Sequence, residues 1–181
     1  MRPCFVEFQR SKYANIVGAE IGVHRGIHAM DIVQNLPNLK KLYLVDPYVI
    51  GGAFDGDRKK EKEEARTKLN EFADKRQWLY ETSEDASRTF DDNYFDFVYI
   101  DGDHSYDAVL LDLRLWWSKI KHNGMIAGHD FDIKHHPGVH RAVLDFVNGT
   151  NCTLNIHCYF PRPHKKQSTS SDWWIFKDSE A

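Results

Sequence analysis

The sequence predicts a doubly wound α/β fold: a mostly parallel, seven-stranded sheet with helices on both faces and one antiparallel strand from a C-terminal hairpin. Short apolar runs alternate with longer amphipathic stretches, the strand–helix–strand pattern of a parallel sheet. Four of the first five apolar runs end in or beside an acid: Glu20, Asp46, Asp101 and Asp130. The last two apolar runs have no helical pattern between them, which makes them a hairpin.

The first strand carries Ile16, Val17, Ala19, Ile21 and Val23, and passes through Gly22 and Gly26 into a helix over Ile27–Asn35 that Pro37 stops. Residues 41–46 form the second strand, followed by a loop at Gly51 and Gly52. Residues 58–75 are dense in Lys, Glu and Ala with Leu69 and Phe72 spaced by three, a solvated helix whose charges need no functional explanation. A third strand at 77–81, a short helix at 84–90 and a fourth strand at 95–101 follow. From Tyr106, apolar residues at Val109, Leu110, Leu113, Trp116, Trp117 and Ile120 keep helical spacing, and Asn123-Gly124 closes that helix. The fifth strand is 125–130, a helix spans 139–147, and the final strands are 154–160 and 173–176. The polar, Pro-interrupted loop from Pro161 to Ser171 joins them and is expected to be mobile, as is the segment from Gly51 to Asp57.

With 181 residues, 41% of them hydrophobic and 28% charged, the chain suits one globular domain over residues 1–181. A net charge of only −3 gives no general attraction for nucleic acid, and no nucleic-acid partner is expected. There is no run of eighteen apolar residues and no leader-like start, so neither a membrane association nor export is expected, and the location is read as cytoplasmic. Cys4, Cys152 and Cys158 are odd in number and lack metal-ligand spacing, and are read as reduced thiols. The glycosylation-type triplets at Asn148 and Asn151 are therefore read as coincidental.

In an open parallel sheet, ligands bind beyond the carboxyl ends of the strands, where strand order reverses. The motif Glu20-Ile-Gly-Val-His-Arg-Gly26 is neither the dinucleotide fingerprint nor a phosphate loop; a carboxylate precedes its first glycine, placed to meet a positive charge. Asp46 follows Gly22 by 24 residues, where such folds set an acid against ribose hydroxyls. That acid would repel a ribose phosphate and favours an adenosine-type ligand.

Together with Leu44-Val-Asp46-Pro-Tyr, Tyr99-Ile-Asp-Gly-Asp-His-Ser-Tyr106 and Gly124-Met-Ile-Ala-Gly-His-Asp130, this motif makes the chain resemble class I S-adenosylmethionine-dependent methyltransferases over residues 14–147. The branch it is most similar to includes small bacterial sugar and macrolide (macrocin-type) O-methyltransferases. The resemblance implies a Rossmann-like fold and S-adenosyl-L-methionine as cofactor. It implies that Glu20, Gly22 and Gly26 bracket the methionine part with His24 in the same loop, that Asp46 holds the ribose, and that Ser83 and Glu84 meet the adenine edge. Ser83 and Glu84 also suit a helix cap with its first-turn acid. Asp101 would stand near the sulfonium, with His104 close by.

The implied reaction is O-methylation of a small hydroxylated acceptor such as a sugar or polyketide. In-line transfer needs alignment of acceptor, methyl and sulfur, and removal of the acceptor's proton. Asp101 and His129 are the candidate catalytic groups. Asp101 and Asp130 match the strand-end acids that hold magnesium in the resembling enzymes, and their oxygens suit Mg²⁺ or Mn²⁺. Phe131 stands where catechol and caffeoyl-CoA O-methyltransferases carry a third ligand; Asp132 or water would fill that place, or the metal is absent. His135, His136 and His140 are read as solvated, with no second metal site among them. Two other classes stay open: a non-catalytic adenosine-binding module, and a nicotinamide-dependent oxidoreductase, which the missing fingerprint disfavours. About 13 residues precede the first strand, so the acceptor site is expected to be open, or covered by the loops at 51–57 and 161–171 or by a second subunit of a homodimer.

Overall fold

The computed structural model describes residues 1–11, 14–49, 57–150, 152–158 and 171–178. Most of the loops at 51–57 and 161–171, Asn151 and the end of the strand expected at 154–160 lie outside the described residues. The elements are α1 (Pro3–Ser11), β1 (Ile16–Ile21), α2 (Ile27–Asn35), β2 (Leu39–Val45), α3 (Arg58–Lys68), β3 (Arg76–Leu79), α4 (Ser83–Ser87), β4 (Phe95–Ile100), α5 (Tyr106–Lys119), β5 (Ile120–Gly128), α6 (Pro137–Asn148), β6 (Leu154–Cys158) and β7 (Ser171–Phe176).

They build one seven-stranded sheet in the order β3-β2-β1-β4-β5-β7-β6, parallel through β5, with β7 antiparallel to both of its neighbours. Strand order reverses between β1 and β4. Register brings the acids to one edge, since Ile21 pairs with both Val45 and Ile100, and Ile100 pairs with Gly128.

Alternation along the strands divides the core into two layers. Leu42, Leu44, Phe97 and Tyr99 pack with Phe5, Phe8, Ile32 and Leu69 on one face. Val98, Ile100, Ile126 and Ile175 pack with Leu113, Trp116 and Val143 on the other. Among the described residues no helix is long and apolar enough to cross a membrane.

Two features depart from the sequence expectation. Residues 3–11, to which the sequence assigns no element, form α1, which buries Cys4, Phe5 and Phe8. The rings of Phe5 and Phe8 stand 4.9 and 5.7 Å from that of Phe97. Gly18 makes room for this packing, because a Cβ there would lie 2.1 Å from Phe97 Cζ. The second departure is at Asn123-Gly124, which does not end a helix. α5 stops at Lys119, and Ile120 already pairs with Phe95; the register then shifts so that Phe97 meets Met125. Asn123, at φ 59°, takes up that irregularity inside a strand. Smaller revisions are the break of the 58–75 helix into α3 and a 3-10 turn at Asn70–Phe72, and an earlier start for β7.

Candidate functional site

A cavity of about 650 Å³ opens at the carboxyl ends of β1, β2 and β4, within the size range of small-molecule sites. Every residue expected at the cofactor lines it: Glu20, Gly22, His24, Asp46, Ser83, Glu84, Asp101 and His104, with the exception of Gly26.

The two glycines answer to packing. Gly22, at φ 87°, lies so close to β4 that a Cβ would come within 2.2 Å of the Asp101 carbonyl oxygen. Gly26, at φ 70°, caps α2, and a Cβ there would stand 3.1 Å from the Ala65 backbone on α3. Both conformations suit glycine. The motif thus brings the loop against its neighbours, with Gly22 and the residues up to Arg25 on the cavity wall.

Glu20 is buried, with Oε1 3.0 Å from Nδ1 of His28. Its Oε2, and Nε2 of His28, are buried without a hydrogen-bond partner among the described residues. Burial raises the Glu20 pKa, opposed by His28. An acceptor held away from water without a partner costs on the order of 1–3 kcal/mol, and a donor supplied by a ligand would offset it.

Asp46 lines the cavity with both oxygens already engaged by the chain. Oδ2 accepts from the backbone N–H groups of Val23 and His24 at 3.1 and 2.9 Å. Oδ1 accepts from Tyr48 N at 2.9 Å and the Arg58 guanidinium at 3.0 Å. All four acceptor sites of the carboxylate are occupied, so Asp46 ties the β1 loop to β2. Arg58 also donates to Glu61 at 2.8 Å, and Glu61 lies 2.9 Å from His24 Nε2. Burial opposes ionisation of Glu61, but His24 and Arg58 hold its pKa below the ordinary value. Part of the α3 charge run is therefore site scaffolding and not merely a solvated face.

At the far wall Thr82, one residue before Ser83, is the true cap of α4, accepting from Asp85 N at 3.1 Å. Ser83 Oγ accepts from Trp116 Nε1 at 2.8 Å, and Glu84 pairs with Arg88. Asp112 of α5, not singled out in the sequence, also lines this wall; burial pushes its pKa up to about 6.

Around Asp101 an imidazole joins the two acids expected to hold a metal. His104 Nε2 lies 3.6 Å from Asp101 Oδ1 and 3.4 Å from Asp130 Oδ2, so an imidazole stands near both carboxylates. The Asp101 and Asp130 carboxylates beside it raise the His104 pKa, against its burial; Asp101, despite its own burial, is held low by His104 and by nearby His129 and Arg2. Phe131 offers no ligand and packs 4.6 Å from the His140 ring. Asp132 is engaged within its own turn: Oδ1 accepts from Lys134 N at 2.7 Å and His135 N at 3.1 Å, and Oδ2 lies 3.1 Å from His135 Nδ1. The Asp101 and Asp130 carboxylates still offer the oxygen donors that magnesium takes, with water to complete the shell.

His136, expected to be solvated, turns inward to place Nδ1 3.3 Å from Asp130 Oδ1. Among the described residues, His104, Asp130 and His136 are the group whose donor atoms converge closely enough for an ion.

His129, expected as a base, does not line the cavity. Its Nδ1 lies 2.7 Å from both Asp172 Oδ1 and the Arg2 guanidinium, and its Nε2 is 3.8 Å from Asp130. This is an orienting role within a buried network that Arg2, Asp172 and Tyr99 share. Arg2 also reaches the cavity wall. No local motif joins residues 2 and 172; only the packing of α1 against β7 does.

Residues 19–131, more than half of the chain, match a family model described as a methyltransferase domain. No curated protein sequence matches. Among solved structures, an O-methyltransferase from Bacillus cereus in complex with S-adenosylhomocysteine is 12% identical at a TM-score of 0.72, over 98% of this chain and 82% of that one. The Streptococcus mutans protein SMU.1697c, described as a methyltransferase and solved with S-adenosylhomocysteine, is 14% identical at a TM-score of 0.68, over 98% of both chains. Spermidine synthase from Thermotoga maritima is 14% identical at a TM-score of 0.65 over 90% of this chain, which spans 53% of that protein's length. At these identities the likeness is one of fold.

Proposed function

The chain belongs to the methyltransferase-domain family, and from that premise we propose that it binds S-adenosylmethionine in the strand-end cavity and methylates a hydroxyl group of a small acceptor. The observation that carries this reading is Glu20: a buried carboxylate on the cavity wall with one oxygen unpartnered among the described residues. An α-ammonium group of the methionine moiety supplies the missing donor and the compensating charge. A phosphate in the same place would be repelled.

The rest of the cofactor follows the cavity walls. Arg58 is the one side chain among the four donors to Asp46, so a ribose diol takes hold there by displacing it. Adenine lies toward Ser83, Glu84 and Asp112. Ile27, Val49 and Leu111 line the cavity while remaining 68%, 58% and 43% exposed, an apolar border suited to an acceptor with a nonpolar part.

Alignment of acceptor oxygen, methyl carbon and sulfur can lower the barrier of such a transfer by several kcal/mol, up to roughly 7–11. The acceptor's proton must leave as the new C–O bond forms and the C–S bond breaks. Asp101 and His104 border the cavity where that proton departs. Calorimetric titration with S-adenosylhomocysteine tests the first step. Stoichiometric binding that Glu20→Gln weakens is the expected result; a folded protein that takes up no ligand would end the proposal.

A further inference from the structure

We propose that Arg58 is a specificity-determining residue of the cavity: it competes with a ligand hydroxyl for Asp46 and leaves room there for one such hydroxyl only. Both residues line the cavity. The step rests on the reading of that cavity as an S-adenosylmethionine site, in which the ribose supplies the hydroxyl. Of the four donors to Asp46, three are backbone groups that the fold pins. Val23 and His24 lie in the turn between Gly22 and Gly26, where His24 itself holds φ 51°. Tyr48, at φ 48°, is tied at both ends: its N–H donates to Asp46 Oδ1 at 2.9 Å and its hydroxyl donates to the His24 carbonyl oxygen at 2.7 Å. Only the Arg58 side chain can withdraw without moving the main chain.

Arg58 also has somewhere to withdraw to. It is the first residue of α3, directly after Asp57, which caps the helix by accepting from Lys60 N at 3.1 Å. Its Nη1 donates to Glu61 Oε2 at 2.8 Å, three residues on along the same helix, while Nη2 spans to Asp46 Oδ1 at 3.0 Å. The second contact can break with the first intact. Glu61 is buried and stands 2.9 Å from His24 Nε2 and 3.8 Å from Arg25 Nη2, so its charge stays paired throughout. Asp46 in turn keeps three amide donors and gains a hydroxyl. No buried charge is stranded by the exchange, which is what makes breaking a buried ion pair costly elsewhere.

Counting acceptors gives the selectivity. A carboxylate offers about four lone-pair positions, and with three held by backbone amides Asp46 has one to exchange. A ribose diol brings two O–H donors, so one donates to Asp46 and the other pairs elsewhere. The site therefore treats the two hydroxyls differently. A ligand that lacks the first hydroxyl has nothing to put in place of Arg58 and leaves the ion pair standing. Even for the full ligand, apparent affinity is reduced by the fraction of molecules in which Arg58 has withdrawn.

The test is calorimetric titration with S-adenosylhomocysteine and with its 2′-deoxy and 3′-deoxy analogues. Arg58→Met, which keeps the stem and removes the donors, should bind S-adenosylhomocysteine about three- to tenfold more tightly than the unmodified protein, because the competing contact is gone. Glu61→Gln, which removes the charge that receives Arg58, should weaken binding, and the double variant should match Arg58→Met. In the unmodified protein one deoxy analogue should lose about tenfold or more, the value of a hydrogen bond to a charged group, and the other little. Unchanged or weaker binding in Arg58→Met would overturn the proposal, as would equal losses for the two analogues or a Glu61→Gln effect that persists without Arg58. The analogue comparison needs no variant, so it decides even where a substitution prevents folding. Protein that binds S-adenosylhomocysteine but fails these comparisons removes the role of Arg58 and leaves the methyl-transfer reading standing; no uptake by any of the proteins removes that reading itself.

Discussion

Glu20 places an ionisable group where water cannot solvate it, and its charge state should control the cavity. Burial raises its pKa, opposed by His28, so Glu20 takes up its proton at a higher pH than an exposed carboxylate does. A neutral carboxyl cannot pair with an ammonium group. Ligand affinity therefore rises with pH as Glu20 ionises, and binding in the acidic range releases a proton. We expect the Kd for S-adenosylhomocysteine to fall between pH 5 and pH 8, measured by calorimetry. Glu20→Gln should flatten that profile and weaken binding at pH 8 by roughly ten- to a hundredfold, the value of a hydrogen bond to a charged group. A profile identical in both proteins would remove Glu20 from the ligand. At this scale the sequence was informative where one residue's role depends on the end of its own strand: Glu20, Asp101 and Asp130 all stand where strand-end logic puts them. It was uninformative where the role is set by partners far along the chain. That Arg58 and three backbone amides engage the Asp46 oxygens, and that Asp172 and Arg2 hold Nδ1 of His129, follows only from the fold.

α1 shows the same limit for an element. Its apolar residues Cys4, Phe5 and Phe8 have helical spacing, but a nine-residue helix is marginal on its own and its pattern is one turn of evidence. It exists because Phe97 offers a ring and Gly18 opens the strand beneath that ring. The same packing delivers Arg2 to the cavity and to buried Asp172, linking a stability element to the site. Phe5→Ala should therefore destabilise the fold by about 3–5 kcal/mol, the usual cost of emptying a buried phenylalanine site, seen as a lower urea midpoint. A loss below about 1 kcal/mol would mean that α1 is only loosely docked. Gly124 failed as a signal for a complementary reason. Asn-Gly ends helices and also forms bulges, and only pairing with β4, where Ile120 already meets Phe95, distinguishes the two. β1, β4, the end of β5 and β7, by contrast, were legible because their apolar runs are buried on both faces and stand out against polar surroundings.

For the molecule as a whole, the cavity lies at the one place where the sheet changes direction, with walls drawn from the ends of β1, β2 and β4 and from α5. A ligand there touches loops that otherwise meet mainly through Gly22 against the Asp101 carbonyl and through Asp46 against the β1 loop. Binding to the folded state alone then stabilises by mass action, about 2.7 kcal/mol at a hundredfold excess over Kd. For a domain of this size that corresponds to a rise in Tm of roughly 5–10 °C. The gain should be localised: hydrogen exchange is expected to slow most at residues 22–26, 46–49 and 101–104, and little in β6, which lies at the opposite edge of the sheet. Uniform protection along the chain would indicate global stabilisation without a seated ligand. Protection confined to α6 would place the ligand on the histidine cluster and away from the cavity.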